Sequence, residues 1–289
     1  MIDSRIDFNV QDLSGTDIKA LLGRLAPILS ATEPATWRVD ASRCRYLGPT
    51  AVVVLASAWL CTKQHGGTSE FIFPTEPPEL VAFCRYSGLA RLVDESITTE
   101  SRHPNSETAA LQRFDRANWG GSTPLVDLVQ RHAPDVDDDT IDLLRLCYSE
   151  IAQNIEDHAR SPIGGLACGR FFRSTQELRI AVADRGLGIA QTLRQAGHEV
   201  SEDFRALELV LKGNVSSKRR SNNMGQGISN LAAIAAGNRG RLLIASHEAI
   251  AEVTSKRPSG RISRLHHGFP GTLVSLSLPI GAGNTHPSP

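Results

Sequence analysis

The sequence predicts a two-domain chain, both parts built from α and β elements. Three observations predict it. Runs with strand and helix character alternate through the first part of the chain. Residues 98–107, TTESRHPNSE, are polar and without apolar periodicity, which marks a connection. Beyond them, a helix with apolar residues at three- and four-residue steps precedes two alternating strands with glycine-rich turns between. The expected division is an N-terminal domain at 1–98, a linker at 99–124, a second domain at 125–281 and a disordered tail at 282–289.

In the first domain, residues 37–40 read as a short strand. Residues 50–64 read as a helix with two apolar stripes, Val53, Ala56, Leu60 and Val52, Leu55, Trp59, closed by Gly66 and Gly67. Residues 70–73 read as a second strand. Pro78 opens a further helix, where a missing N–H is harmless, with Leu80, Val81, Phe83 and Cys84 inward and Gly88 after it.

Composition excludes some classes of function. Of 289 residues, 40% are hydrophobic and 21% charged, as in soluble globular proteins. Basic and acidic residues number 31 each, so no global charge attracts nucleic acid or an anionic membrane. The opening MIDSRIDFNV lacks the pattern of a signal peptide, and the apolar run at 51–61 is too short to span a bilayer. Five scattered cysteines, Cys44, Cys61, Cys84, Cys147 and Cys168, lack metal-ligand spacing and read as reduced, mostly buried thiols of a cytoplasmic protein.

The second domain carries the chemistry. An amphipathic stretch at 125–129 is followed by an acidic turn at 135–139, read as helix-capping carboxylates rather than a metal site. In the next helix Leu144, Cys147, Ile151 and Ile155 should face a core, while Glu150, Asn154 and His158 recur at four-residue steps on another face. Taken alone, that triplet is a polar surface stripe. Chemically, an Asn oxygen suits Mg²⁺ and a nearby Glu can take a proton from a hydroxyl or water.

The strand at 178–183, LRIAVA, runs into Asp184, Arg185, Gly186, Leu187, Gly188 and Ile189. A carboxylate accepts only, so Asp184 can pair with an exocyclic amino group, and alternate glycines admit close backbone approach; a plain strand-to-turn Asp is the alternative. A long irregular segment leads to Gly225, Gln226, Gly227 and Ile228, which open a helix through Leu231 and Ile234. N–H groups at such a helix start are a phosphate-binding feature. Gly271 and Thr272 then start the strand at 273–278.

These motifs, CYSEIAQNIEDHA, DRGLG, GQGISNL and Gly-Thr, in this order, resemble the four motifs of the GHKL ATPases over roughly residues 139–280. That superfamily joins histidine kinases, anti-sigma-factor kinases, type II topoisomerases, mismatch-repair proteins and a heat-shock chaperone. The resemblance implies a Bergerat α/β sandwich with helices on one face of a mixed sheet, binding ATP and Mg²⁺. It makes Glu150 the general base or its orienting group and Asn154 the metal ligand. Asp184 would hold the adenine amino group, with Gly186, Gly188 and Ile189 at that pocket and Thr272 beside it. Gly225, Gln226 and Gly227 would lie at the phosphates. His158 either contacts phosphate or packs at the surface. Residues 191–224 would form a lid, in which Lys218 either meets the γ-phosphate or is a solvated loop cation.

The stretch from Thr36 through the segment ELVAFCRYSGLARLV resembles STAS domains, the fold of anti-sigma-factor antagonists. That family's phosphoacceptor sits in an Asp-Ser-Ser-Gly turn; Gly48, Pro49, Thr50 and Ala51 stand there in this chain. Proline cannot accept phosphate, and Thr50 is expected to cap the helix. The domain therefore reads as a docking module.

Three functions are open: an anti-sigma-type serine/threonine kinase, which is preferred; a nucleotide-gated protein-binding module with little turnover; and an ATPase driving a conformational cycle. A histidine kinase is disfavoured, because about forty residues between the units leave little room for a two-helix phosphotransfer domain. His103 also adjoins Pro104, and His132 lies near Pro134. A protein partner, such as a STAS or sigma-regulatory protein, is expected. So is pairing into a homodimer, as family members often pair through this domain. Nucleic acid and membrane are not expected.

Overall fold

The computed structural model describes residues 7–9, 17–31, 34–96, 107–114, 123–132, 134, 136, 138–213 and 227–280. Element order begins β1 (Asp7–Asn9), α1 (Ile18–Leu29), β2 (Thr36–Asp40), α2 (Pro49–Gln64), β3 (Thr68–Ile72), α3 (Pro78–Tyr86) and α4 (Leu89–Val93). It continues with β4 (Thr108–Phe114), α5 (Thr123–His132), α6 (Asp138–Asn154), a π turn (Ile155–Ala159), β5 (Gly165–Phe172) and β6 (Glu177–Asp184). The chain closes with α7 (Gly188–Gln195), α8 (Asp203–Leu211), α9 (Gly227–Gly237), β7 (Arg241–Thr254) and β8 (Arg257–Pro279).

Two sheets result. β1, β2 and β3 form a parallel sheet in that order, with Val39 opposite Phe71. The second sheet has the order β4-β5-β6-β8-β7 and is antiparallel at every pairing, where a mixed sheet was expected.

Side-chain alternation on β6 decides what each face of the second sheet meets. Ala181 and Ala183 belong to the core built with α1 and α2, whereas Val182 belongs to the core built with α6 to α9. Helices thus cover both faces, not one. α2 explains this. Its Val52-Val53-Val54 run is a poor helix former, yet the whole stretch from Pro49 to Trp59 is buried, because α2 packs against the sheet through β5 and β6 and also against β3. A helix sandwiched between two layers needs apolar residues all round.

Polar contacts tie the same junction. Thr50 Oγ1 lies 2.8 Å from Ser275 Oγ on β8, and Arg179 donates to Tyr46 Oη at 2.7 Å. Gln64 Nε2 donates to the Pro162 carbonyl at 2.6 Å. Thr50 is not the helix cap expected of it. Gly48 occupies the cap in an extended conformation, Pro49 follows at the start, and Thr50 is buried inside the first turn against β8.

Two further expectations change. Residues 108–114, inside the expected linker, form the edge strand β4, which pairs with β5 across a register shift. The segment expected to be irregular after residue 190 holds α7 and α8. α8 is stabilised by Asp203 in its first turn and by the pairing of Glu208 with Arg205 and Lys212. The tail at 282–289 lies outside the described residues. Among the described residues, no helix is long and apolar enough to cross a membrane, and no cluster of ligating side chains could hold a metal by itself. Cys44, Cys61, Cys84 and Cys168 are buried thiols that form no disulfide with one another.

Candidate functional site

Between the second sheet and its helices lies a cleft of about 800 Å³, solvent at its mouth included. Ile151, Ile155, Val182, Ile189, Ile228 and Val274 make its walls apolar. Asn154, Asp184, Thr192 and Thr272 are its polar lining. Elements from five separate stretches of sequence therefore meet here: the end of α6 with the π turn, the end of β6 with α7, Val210 of α8, the start of α9, and β8.

Asp184 sits at the end of β6 on the same side as Val182, opposite Thr272 in the β6–β8 register. Its side chain is only 2% exposed. The Gly186 N–H donates to Asp184 Oδ1 at 2.8 Å. Burial pushes the Asp184 carboxyl up to about 6, against the opposing pull of hydrogen bonds from Gly186 and Thr272 and the nearby His247. Asp184 is therefore a buried acceptor, held by Gly186 and Thr272, in the polar part of an otherwise apolar cleft.

The glycines after Asp184 serve protein packing. A Cβ on Gly186 would lie 1.9 Å from the Ala159 carbonyl oxygen, and Leu187 N–H donates to that same oxygen at 2.7 Å. Gly188 has φ +70°, and a Cβ there would meet His247 at 2.4 Å. Gly186 itself is not in the cleft lining; Gly188 and Ile189 are. The glycines hold the turn tight so that Asp184 and the start of α7 reach the cleft.

Asn154, the last residue of α6, is partly exposed in the cleft wall. Glu150 lies four residues earlier on the same helix and His158 in the π turn, and both side chains fall outside the described residues. The π turn changes the expected geometry. Its wider winding breaks the four-residue step of α6 along the backbone at Ile155–Ala159. Gly227 is the buried first residue of α9, and Ile228 after it lines the cleft. Lys218, Gly225 and Gln226 lie outside the described residues.

Sequence reasoning missed the residues that brace the site. Ile189 N–H donates to Ser246 Oγ at 2.9 Å, and His247 Nε2 lies 2.9 Å from the Leu187 carbonyl. Ser161 Oγ accepts from Arg185 N–H at 3.1 Å and donates to the Gly164 carbonyl at 2.7 Å. The only local sign is backbone: His247 has φ 44° at a register shift between β7 and β8, a feature invisible in the alternating run around it.

No protein-family model matches the chain, and no curated protein matches it. Among solved structures, it is similar to the histidine kinase domain from the Erythrobacter litoralis EL346 blue-light activated histidine kinase. Identity is 15%, the overlap covers 92% of this chain and 94% of that chain, and the TM-score is 0.29. So loose an overlap says nothing about activity.

Proposed function

We propose that this chain is a signalling protein that binds Mg-ATP in the cleft of its second sheet and phosphorylates a serine or threonine of a protein partner. The observation that carries the nucleotide part is Asp184: a buried carboxylate at the base of an apolar cleft, beside Thr272. A flat base with an exocyclic amino group fits such a cleft, because it brings an apolar body and, at its edge, a donor for the carboxylate's remaining lone pairs. The resemblance of the four motifs to GHKL ATPases supports the same ligand.

Fit to a metal is supported by one group. Asn154 brings a neutral amide oxygen to the cleft, which suits Mg²⁺ taking its other ligands from phosphate and water. Bound there, the cation would neutralise phosphate charge during transfer. Glu150, one helical turn before Asn154, is the general base in this reading, accepting the hydroxyl proton of the partner. Gly227 and the N–H groups at the start of α9 serve the phosphates. The N-terminal unit is a docking module. Thr50 is buried against Ser275 and is not the phosphoacceptor.

The close packing of that unit on the far face of the nucleotide-binding sheet favours a second reading, a nucleotide-gated binding module with little turnover. Incubation with γ-labelled ATP and co-purified partner separates the two. Labelled protein that disappears with Glu150→Ala supports the kinase. Binding without label supports the gated module, and free phosphate alone supports an ATPase.

A further inference from the structure

Arg185 follows Asp184 directly, yet it points the other way. Asp184 lies on the cleft side of the second sheet, while the Arg185 guanidinium enters the core shared with the N-terminal helices. Its Nη2 donates to the Leu29 carbonyl at 2.6 Å, across 156 positions of sequence. Leu29 is the last residue of α1, where carbonyls lack an intrahelical partner and the helix end is negative. The ring of Phe269 lies 5.7 Å from the guanidinium carbon. Cys61 of α2 faces the same group, and sulfur is a weak acceptor, so Nη1 is buried without a full-strength partner among the described residues.

The backbone of Arg185 is fixed just as firmly on the other side. Its N–H donates to Ser161 Oγ. The next two N–H groups, of Gly186 and Leu187, hold Asp184 Oδ1 and the Ala159 carbonyl. One residue therefore joins the turn that presents Asp184 to the end of α1 in the N-terminal unit.

We infer that Arg185 is a positioning residue for the cleft, acting through the 184–188 turn, and that through it the docked N-terminal helices set the geometry of Asp184. The consequence for nucleotide affinity rests on the reading proposed above; the mechanical link does not. A buried cation on a helix-end carbonyl cannot slide as an apolar contact can, so a shift of α1 is passed to the turn.

Amide hydrogen exchange on the full chain without ligand tests the link. Arg185→Met keeps much of the side-chain volume and removes the guanidinium. Exchange at Gly186 and Leu187 should accelerate about tenfold or more, with that at the end of α1, while β7 is little changed. Arg185→Lys, which retains a donor, should restore most of the protection; if Arg185→Met does not fold, a smaller acceleration confined to the same amides in Arg185→Lys is the expected result. Acceleration spread evenly over the sheet, or none at the two amides, overturns the inference. ATP titration of the same proteins is the second readout, with affinity about tenfold weaker in Arg185→Met. If wild type takes up no ATP but the turn loosens as described, the nucleotide reading fails and the positioning role stands. If wild type binds ATP and Arg185→Met binds it equally well, the positioning role fails alone.

Discussion

Asp184 and Thr272 face one another across β6 and β8, and the hydroxyl and backbone N–H of Thr272 both donate toward a carboxylate almost closed to solvent. These hydrogen bonds favour the charged form, but burial outweighs them and leaves the carboxyl at about 6.

Binding should therefore depend on pH in a definite direction. Holding an amino group requires the carboxylate, so adenine-nucleotide affinity should be flat above neutrality and fall as pH drops through about 6. Phosphate groups titrate in the same range, and Asp184→Asn separates the two, since the part of the pH dependence due to Asp184 should vanish in it. Calorimetry from pH 5 to 8 on both proteins reads this. An identical profile in both contradicts it.

Stability should run the opposite way. The folded-state value of Asp184, about 6, lies above its ordinary 3.8. Its contribution is then fully present below the unfolded value and is lost as pH rises through about 6, by on the order of 3 kcal/mol. Asp184→Asn should consequently gain stability relative to wild type between pH 5 and pH 8. Urea unfolding at the two pH values measures the difference.

Close approach predicts which glycines matter. Alanine at Gly186 would meet the Ala159 carbonyl oxygen at 1.9 Å, and at Gly271, with φ +114°, it would meet the Asp184 carbonyl oxygen at 2.1 Å. Each should lose at least about 2 kcal/mol and weaken binding. Gly237, in α9 with nothing within 4 Å, should accept alanine without loss. Thermal melts of the three variants rank them.

The two units should melt together. α1 and α2 share one core with the second sheet, through residues such as Leu25, Val53, Ala183 and Phe269. Scanning calorimetry should show a single transition. Thr50→Asp would place an unpaired charge against Ser275, and should destabilise the fold by on the order of 3 kcal/mol and lower the transition temperature. Two separate transitions in the wild type would contradict the shared core.

Much of the cleft was legible because backbone demands appear as glycines: DRGLG marks a turn that only glycine can make at Gly186 and Gly188. α2 was legible as a helix from its two apolar stripes. What they could not indicate is the second partner, which lies more than a hundred residues away in sequence. β4 was illegible because TAALQRF alternates weakly and is paired through a register shift. The π turn leaves no mark in residue spacing. α1 carries a clear stripe, Leu21, Leu22, Leu25, Ile28 and Leu29, that the alternation expected in the first unit left out. The brace from Ser246 and His247 depends on a β7 bulge, and the direction of Arg185 on tertiary packing alone.

The central claim is that Asp184 holds the base of a nucleotide. Titration of Mg-ATP into the full chain at pH 7.5, followed by heat, tests it most directly. The account predicts saturable one-site binding that weakens about tenfold or more in Asp184→Asn, the loss expected for a hydrogen bond to a charged group. No binding by the wild type, or equal affinity in the two proteins, would contradict it.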